Sequence, residues 1–103
     1  MLNLIKHKFM VEFDIPRDVG QEFFDLIPMQ RLLVKQYFDQ NILISYCVNQ
    51  NRSKLWAIFL ANSKDELEGY VEKLPLTSFM QYQCEELMFH EFSERELPYI
   101  SLN

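Results

Sequence analysis

Glycine and proline are scarce in this chain, with two of the first and four of the second among 103 residues. That scarcity argues against flexible linkers and low-complexity disorder. Cysteine is equally rare: Cys47 and Cys84 stand far apart, with no second Cys or His at metal-ligand spacing. A zinc site or a disulfide scaffold is therefore not expected, and neither is a resident metal. Charge is spread without a run of either sign and sums to −5, so the basic patch that grips a phosphate backbone is missing and nucleic acid is not an expected partner. No apolar stretch is long enough to cross a bilayer, so no membrane association is expected. The opening Met1-Leu2-Asn3-Leu4-Ile5-Lys6-His7 is too short and interrupted for a secretory signal. A cytoplasmic protein with free thiols is the resulting expectation. Phosphate loops, calcium loops and a Ser-His-Asp order are also missing.

What the chain does have is apolar material, 49% of its residues, and a length suited to one domain, 1–103, with a core over 6–91 and a tail over 92–103. Residues 6–15 alternate, with Phe9, Val11, Phe13 and Ile15 on one face and Lys8, Met10, Glu12 and Asp14 on the other, which predicts a strand closed by Pro16. Residues 19–39 have helical spacing, gathering Phe23, Phe24, Leu26, Ile27, Leu33, Val34, Tyr37 and Phe38 into one broad arc. Pro28 predicts either a kink or a short turn before a second helix N-capped by Asp25, and Asn41 is the expected stop. Residues 42–49 read as a strand, 50–53 as a polar hairpin turn, and 54–61, with an unbroken apolar run, as a central strand buried on both faces. Ser63 and Glu66 form a capping box ahead of Leu67, Tyr70, Val71 and Leu74, an i, i+3, i+4, i+7 stripe that Pro75 ends. Residues 79–91 read as the last strand, with Met80, Tyr82, Cys84 and Met88 opposing Phe79, Leu87 and Phe89.

The order βαββαβ predicts an α+β, ferredoxin-like fold: a four-stranded antiparallel sheet, strand order 4-1-3-2, with both helices on one face. Cys47 and Cys84 then lie on opposite edge strands, about 14 Å apart at a strand spacing of about 4.8 Å. That is too far for a disulfide, which needs Cα atoms within about 7 Å. The second sheet face gets no cover from the chain in this scheme, and its apolar content predicts an obligate homodimer packed sheet to sheet.

Three groups of segments carry a resemblance: Phe9-Met10-Val11-Glu12; Arg52-Ser53-Lys54-Leu55-Trp56; and Leu74-Pro75-Leu76-Thr77-Ser78-Phe79-Met80 followed by Glu86-Leu87-Met88-Phe89-His90. Over residues 8–91 the chain resembles the muconolactone isomerase-like members of the dimeric α+β barrel superfamily. That resemblance implies a ferredoxin-like fold, sheet-to-sheet dimers and sometimes larger rings, and no metal or organic cofactor. It also implies a family activity that shifts a proton within a small unsaturated lactone.

Four side chains are candidates for chemistry. Arg31 falls between Phe24 and Phe38 on a continuous helix, where it needs a carboxylate: that of an anionic substrate, or Glu12 in an internal ion pair. Glu12, on a central strand, reads as a general base, as the partner of Arg31, or as an interface residue. His90 reads as an acid/base group or as a surface residue at a strand end. Tyr46, beside Ser45 on the second strand, reads as a ligand contact or as a core aromatic with a bonded hydroxyl. Together they give a small, apolar or anionic molecule held beneath the first helix, with a cofactor-free proton shift as the reaction. The alternative is a non-catalytic dimeric assembly module.

Overall fold

A computed structural model describes residues 6–93. In chain order it contains β1 (His7–Asp14), α1 (Gln21–Asp39), β2 (Leu43–Val48), β3 (Lys54–Ala61), α2 (Lys64–Lys73), a 3₁₀ turn (Pro75–Phe79) and β4 (Gln81–Leu87). All strand pairs are antiparallel and the sheet order is β2-β3-β1-β4, the expected ferredoxin-like arrangement. Cys47 and Cys84 are free thiols on the two edge strands.

The period-two pattern of β1 becomes burial directly: Phe9, Val11 and Phe13 are enclosed, while Met10 and Glu12 between them are not. Register carries that face across the sheet, Phe9 opposite Phe59, Val11 opposite Ala57 and Cys84, and Phe13 opposite Leu55 and Tyr82. A register shift between Leu43 and Ser45 marks a bulge in β2. It lets Leu43 and Tyr46, three residues apart, lie on the same covered face opposite Phe59 and Ala57.

α1 runs through Pro28 as one helix, so the proline neither splits the segment nor makes Asp25 an N-cap. Gly20 caps its start. Its end is a Schellman motif: Ile42 N–H donates to the Tyr37 carbonyl at 2.9 Å and Asn41 N–H to that of Phe38 at 3.1 Å, with Asn41 at φ 60°. At the start of α2, Glu66 N–H donates to Ser63 Oγ at 3.1 Å, while Glu66 Oε1 accepts from Asn62 N–H, one residue earlier than a standard box. The glycine-free β2–β3 turn is held by Asn49 Oδ1, which accepts from the N–H groups of Ser53 and Lys54 at 2.9 and 3.0 Å. Arg52 takes the positive φ there.

Two expectations about β4 need correction. The strand begins at Gln81 rather than at 79, because Pro75–Phe79 wind into a 3₁₀ turn fixed by the Thr77 hydroxyl, which donates to the Val71 carbonyl at 2.7 Å. It also stops at Leu87, and its outward side reads Gln81, Gln83, Glu85, Leu87, so β4 is not apolar on both faces.

Candidate functional site

Beneath α1 the centre of the buried stripe is polar. Phe23, Val34 and Tyr37 are buried, with Leu26, Ile27 and Leu33 packed beside them, and at 100° per residue the middle of that stripe is Gln30, only 3% exposed. Its amide joins three elements: Nε2 donates to the Tyr46 hydroxyl on β2 at 3.0 Å, and Oε1 accepts from Leu76 N–H in the 3₁₀ turn at 3.0 Å. The Leu76 donor fixes which amide atom is oxygen. Burial pushes the Tyr46 phenol above its ordinary range, so it stays protonated. Nearby, burial pushes Tyr37 up to about 12, and its hydroxyl donates to the Tyr70 carbonyl at 2.6 Å.

Arg31, one residue on, is turned to solvent. The side of α1 that holds Phe24 and Phe38 is also exposed, so the arc expected to bury Arg31 faces outward. Glu12 bonds elsewhere, and the anticipated Arg31–Glu12 pair does not form. The geometry expected beneath the first helix is thus overturned: its polar centre is Gln30, a residue the sequence reading passed over. The missed signal was positional, since Gln30 sits at the midpoint of the 23–27–30–34–37 spacing.

The other face of the sheet has a different make-up. Glu12 lies there, opposite Trp56 and Gln83. Its Oε1 accepts from Trp56 Nε1 at 3.1 Å and its Oε2 from Lys54 Nζ at 2.9 Å. Lys54 also bonds Asp14. The Lys54 bond, aided by Trp56, holds the Glu12 carboxyl below its usual range, so it is ionised near neutrality. Trp56 is half-buried on this face with its indole nitrogen engaged.

Residues 88–93 leave β4 and fold back over this open face as a strap. Lys8 Nζ bonds His90 Nδ1 at 3.2 Å and sits 5.3 Å from the centroid of the Phe92 ring, which stacks on the His90 ring at 5.2 Å. Ile58, opposite Met10 on β3, is only 8% exposed and lines the same space as His90 and Phe92. The strap therefore covers part of the face expected to have no cover from its own chain. A cavity of about 210 Å³ lies against it, lined by Ile44, Ser45, Ile58, His90 and Phe92. On the other side of His90 opens a groove of about 480 Å³ that includes Lys6, His7, Lys8, Glu86 and Met88. His7 Nδ1 and Glu86 are bonded at its rim.

Of the four candidate side chains, Glu12 and His90 share the open face, Tyr46 is on the helix-covered face, and Arg31 is on the outer surface of α1. The structure does not bring the four together. Among the described residues no group of three His, Cys, Asp or Glu side chains could hold a metal ion, and no helix is long and apolar enough to cross a membrane.

No family model matches the chain, and no curated protein matches its sequence. A search of solved structures finds a crystal structure of muconolactone isomerase with a TM-score of 0.68 and 17% identity, covering 86% of this chain and 96% of that one. The match spans nearly the whole of that chain, and the fold of this chain is accordingly muconolactone isomerase-like.

Proposed function

We propose that the chain binds a small, largely apolar or anionic molecule on the open face of its sheet and catalyses a cofactor-free proton shift there. The observation that carries this reading is the cavity under the strap, where Ile44, Ile58 and Phe92 supply apolar walls and Ser45 and His90 the polar groups. Such a mixture of apolar lining and a few convergent polar atoms is typical of small-molecule sites. The adjoining Lys6 and Lys8 suit an anionic end. Lys8 has only donors, so His90 Nδ1 accepts and the ring proton sits on Nε2, from which it can hydrogen-bond to a ligand oxygen and polarise it. Glu12, ionised beside Lys54, is the group that takes the proton from one carbon and returns it to another. Along β1, Lys8 and Glu12 are about 13 Å apart, a span that a small ring and two side chains bridge. Muconolactone isomerase, the structural relative, is named for such an isomerisation.

Incubating the protein with muconolactone, followed by proton NMR, tests the reading. Signals of the isomerised lactone should appear, and H90N and E12Q should abolish them while the protein stays folded. R31A and Y46F should leave turnover intact. Loss of turnover in Y46F, with H90N and E12Q active, would move the site beneath α1.

A second reading, a homodimeric assembly module, is favoured by one observation: Met88 and Phe89, at the start of the strap, are 100% and 71% exposed. Apolar side chains so exposed suit contact with a second copy. Light scattering at micromolar concentration should give the mass of a dimer; a monomer sinks this reading without touching the first.

A further inference from the structure

The outward side of α1 carries half of the exposed large apolar side chains among the described residues: Phe24, Met29, Leu32 and Phe38, between 41% and 56% exposed. At about 100° per residue, the line along the helix directly opposite the buried Gln30 runs through Gln21, Asp25, Pro28, Leu32, Lys35 and Asp39. All six are exposed. The line steps by four and three residues in turn, the period of a seam between two helices. Every helix this long has such a line, so the chemistry along it has to carry the argument.

That chemistry is self-complementary. Reversed end to end about a two-fold axis at Gln30, the line pairs with itself, and each contact occurs twice. Asp25 faces the partner's Lys35, Pro28 faces the partner's Leu32, and Gln21 faces the partner's Asp39. Met29 flanks the line on one side and meets the partner's Met29. Phe24 flanks it on the other and meets the partner's Phe38. Arg31 meets its own copy only at the wet edge of the contact, where water screens the two charges. Within one chain Asp25 and Lys35 are about 15 Å apart along the helix and cannot pair. Lys35 has no ion pair among the described residues. The Gln21 amide donates to Asp25 Oδ1 at 2.8 Å and steadies that carboxylate on the line.

We propose that α1 is an interaction surface for a second copy of this chain, the two helices packing antiparallel along this line. The contact lies on the helix side of the molecule, away from the open sheet face, and uses neither Met88 nor Phe89, so it goes beyond the assembly reading given above. A seam of about five helical turns per copy is small for an interface, so the association is weak and depends on concentration. Asp25 and Lys35 set its register, because matched charges reject the other alignments that apolar contacts alone would tolerate. Should the strap face pair as well, two different two-fold contacts on opposite sides would join copies into a longer assembly.

The test is a charge exchange between copies, read as mass by sedimentation equilibrium on the full chain from micromolar to millimolar concentration. Asp25→Lys sets two cations against each other in every pair, and Lys35→Glu sets two anions. Each variant alone should raise the dissociation constant of the wild type by about tenfold or more. In an equimolar mixture of D25K and K35E the pairs are again opposite in sign, and the wild-type mass should return. The double variant D25K/K35E should recover it alone. L32D should associate least of all. The substituted positions are exposed, and circular dichroism should show the fold unchanged. Association through the strap cannot imitate the rescue, because mixing restores only a contact in which Asp25 of one copy faces Lys35 of the other. Separate variants that keep the wild-type mass, or a mixture that stays at the mass of the separate variants, overturn the pairing.

Discussion

The two faces of this sheet are built on opposite terms. The helix-covered face is closed by Phe9, Val11, Phe13, Ala57 and Phe59, and its main polar intruder, Gln30, is bonded to Tyr46 and Leu76. The open face mixes Met10, Trp56 and Ile58 with Lys8, Glu12, Asp14 and Lys54, whose ion pairs stay partly wet. Burial dominates the first, and partly exposed ion pairs contribute little to stability on the second. The fold should therefore be sensitive to change on one side of each strand and tolerant on the other.

The largest way to test that contrast is Phe59→Ala. Phe59 is fully enclosed beneath Tyr37, and removing its ring should cost about 3–5 kcal/mol, read as a large drop in the denaturant midpoint. If the loss is no greater than for Trp56→Ala on the open face, the two faces are not energetically distinct. Gln30→Leu comes next. The new side chain is apolar, but Leu76 N–H loses its acceptor in a buried place, for about 1–3 kcal/mol. An unchanged midpoint would mean that water or a shifted backbone replaces the amide.

Glu12→Gln should be the mildest change in stability and the only one of the three that depends on pH. The folded-state carboxyl titrates below its unfolded value because Lys54 and Trp56 bond the charged form. Its contribution is therefore present above the unfolded value and is lost as pH falls through the folded one. Lys54 is shifted upward by Asp14 and Glu12, so its own contribution fades only in alkali. Midpoints of wild type and E12Q should differ near neutrality and converge in acid. A difference that stays constant down to about pH 2 would show that the bonds to Glu12 are not electrostatic in origin.

The strand order, the helix-covered face and the Ser63 and Asn41 end signals were legible because each rests on local periodicity or capping. Gln30 was not, because Phe24 and Phe38 widen the apolar arc of α1 and shift its apparent centre toward Arg31. Only packing shows that those two aromatics face solvent. The late start of β4 was hidden for a similar reason: Phe79 and Met80 look like strand residues, and the Thr77 bond that winds them into the turn is tertiary. Of the candidate site, the shared face of Glu12 and His90 could be partly anticipated. Strand alternation put Glu12 opposite the core side of β1, but nothing periodic reveals that the chain folds back after Leu87.

The Gln30 bridge also bears on how the chain reaches its fold in time. Gln30 and Leu76 are 46 positions apart, and Tyr46 lies in the segment between them. Bringing such distant groups together costs loop-closure entropy, and the bridge has both its bonds only after the two halves of the chain have met. A change at Gln30 should then act on the rate of unfolding far more than on the rate of folding, with a φ-value near zero. The residue that joins the two βαβ halves would thus set how long the native state persists rather than how quickly it forms.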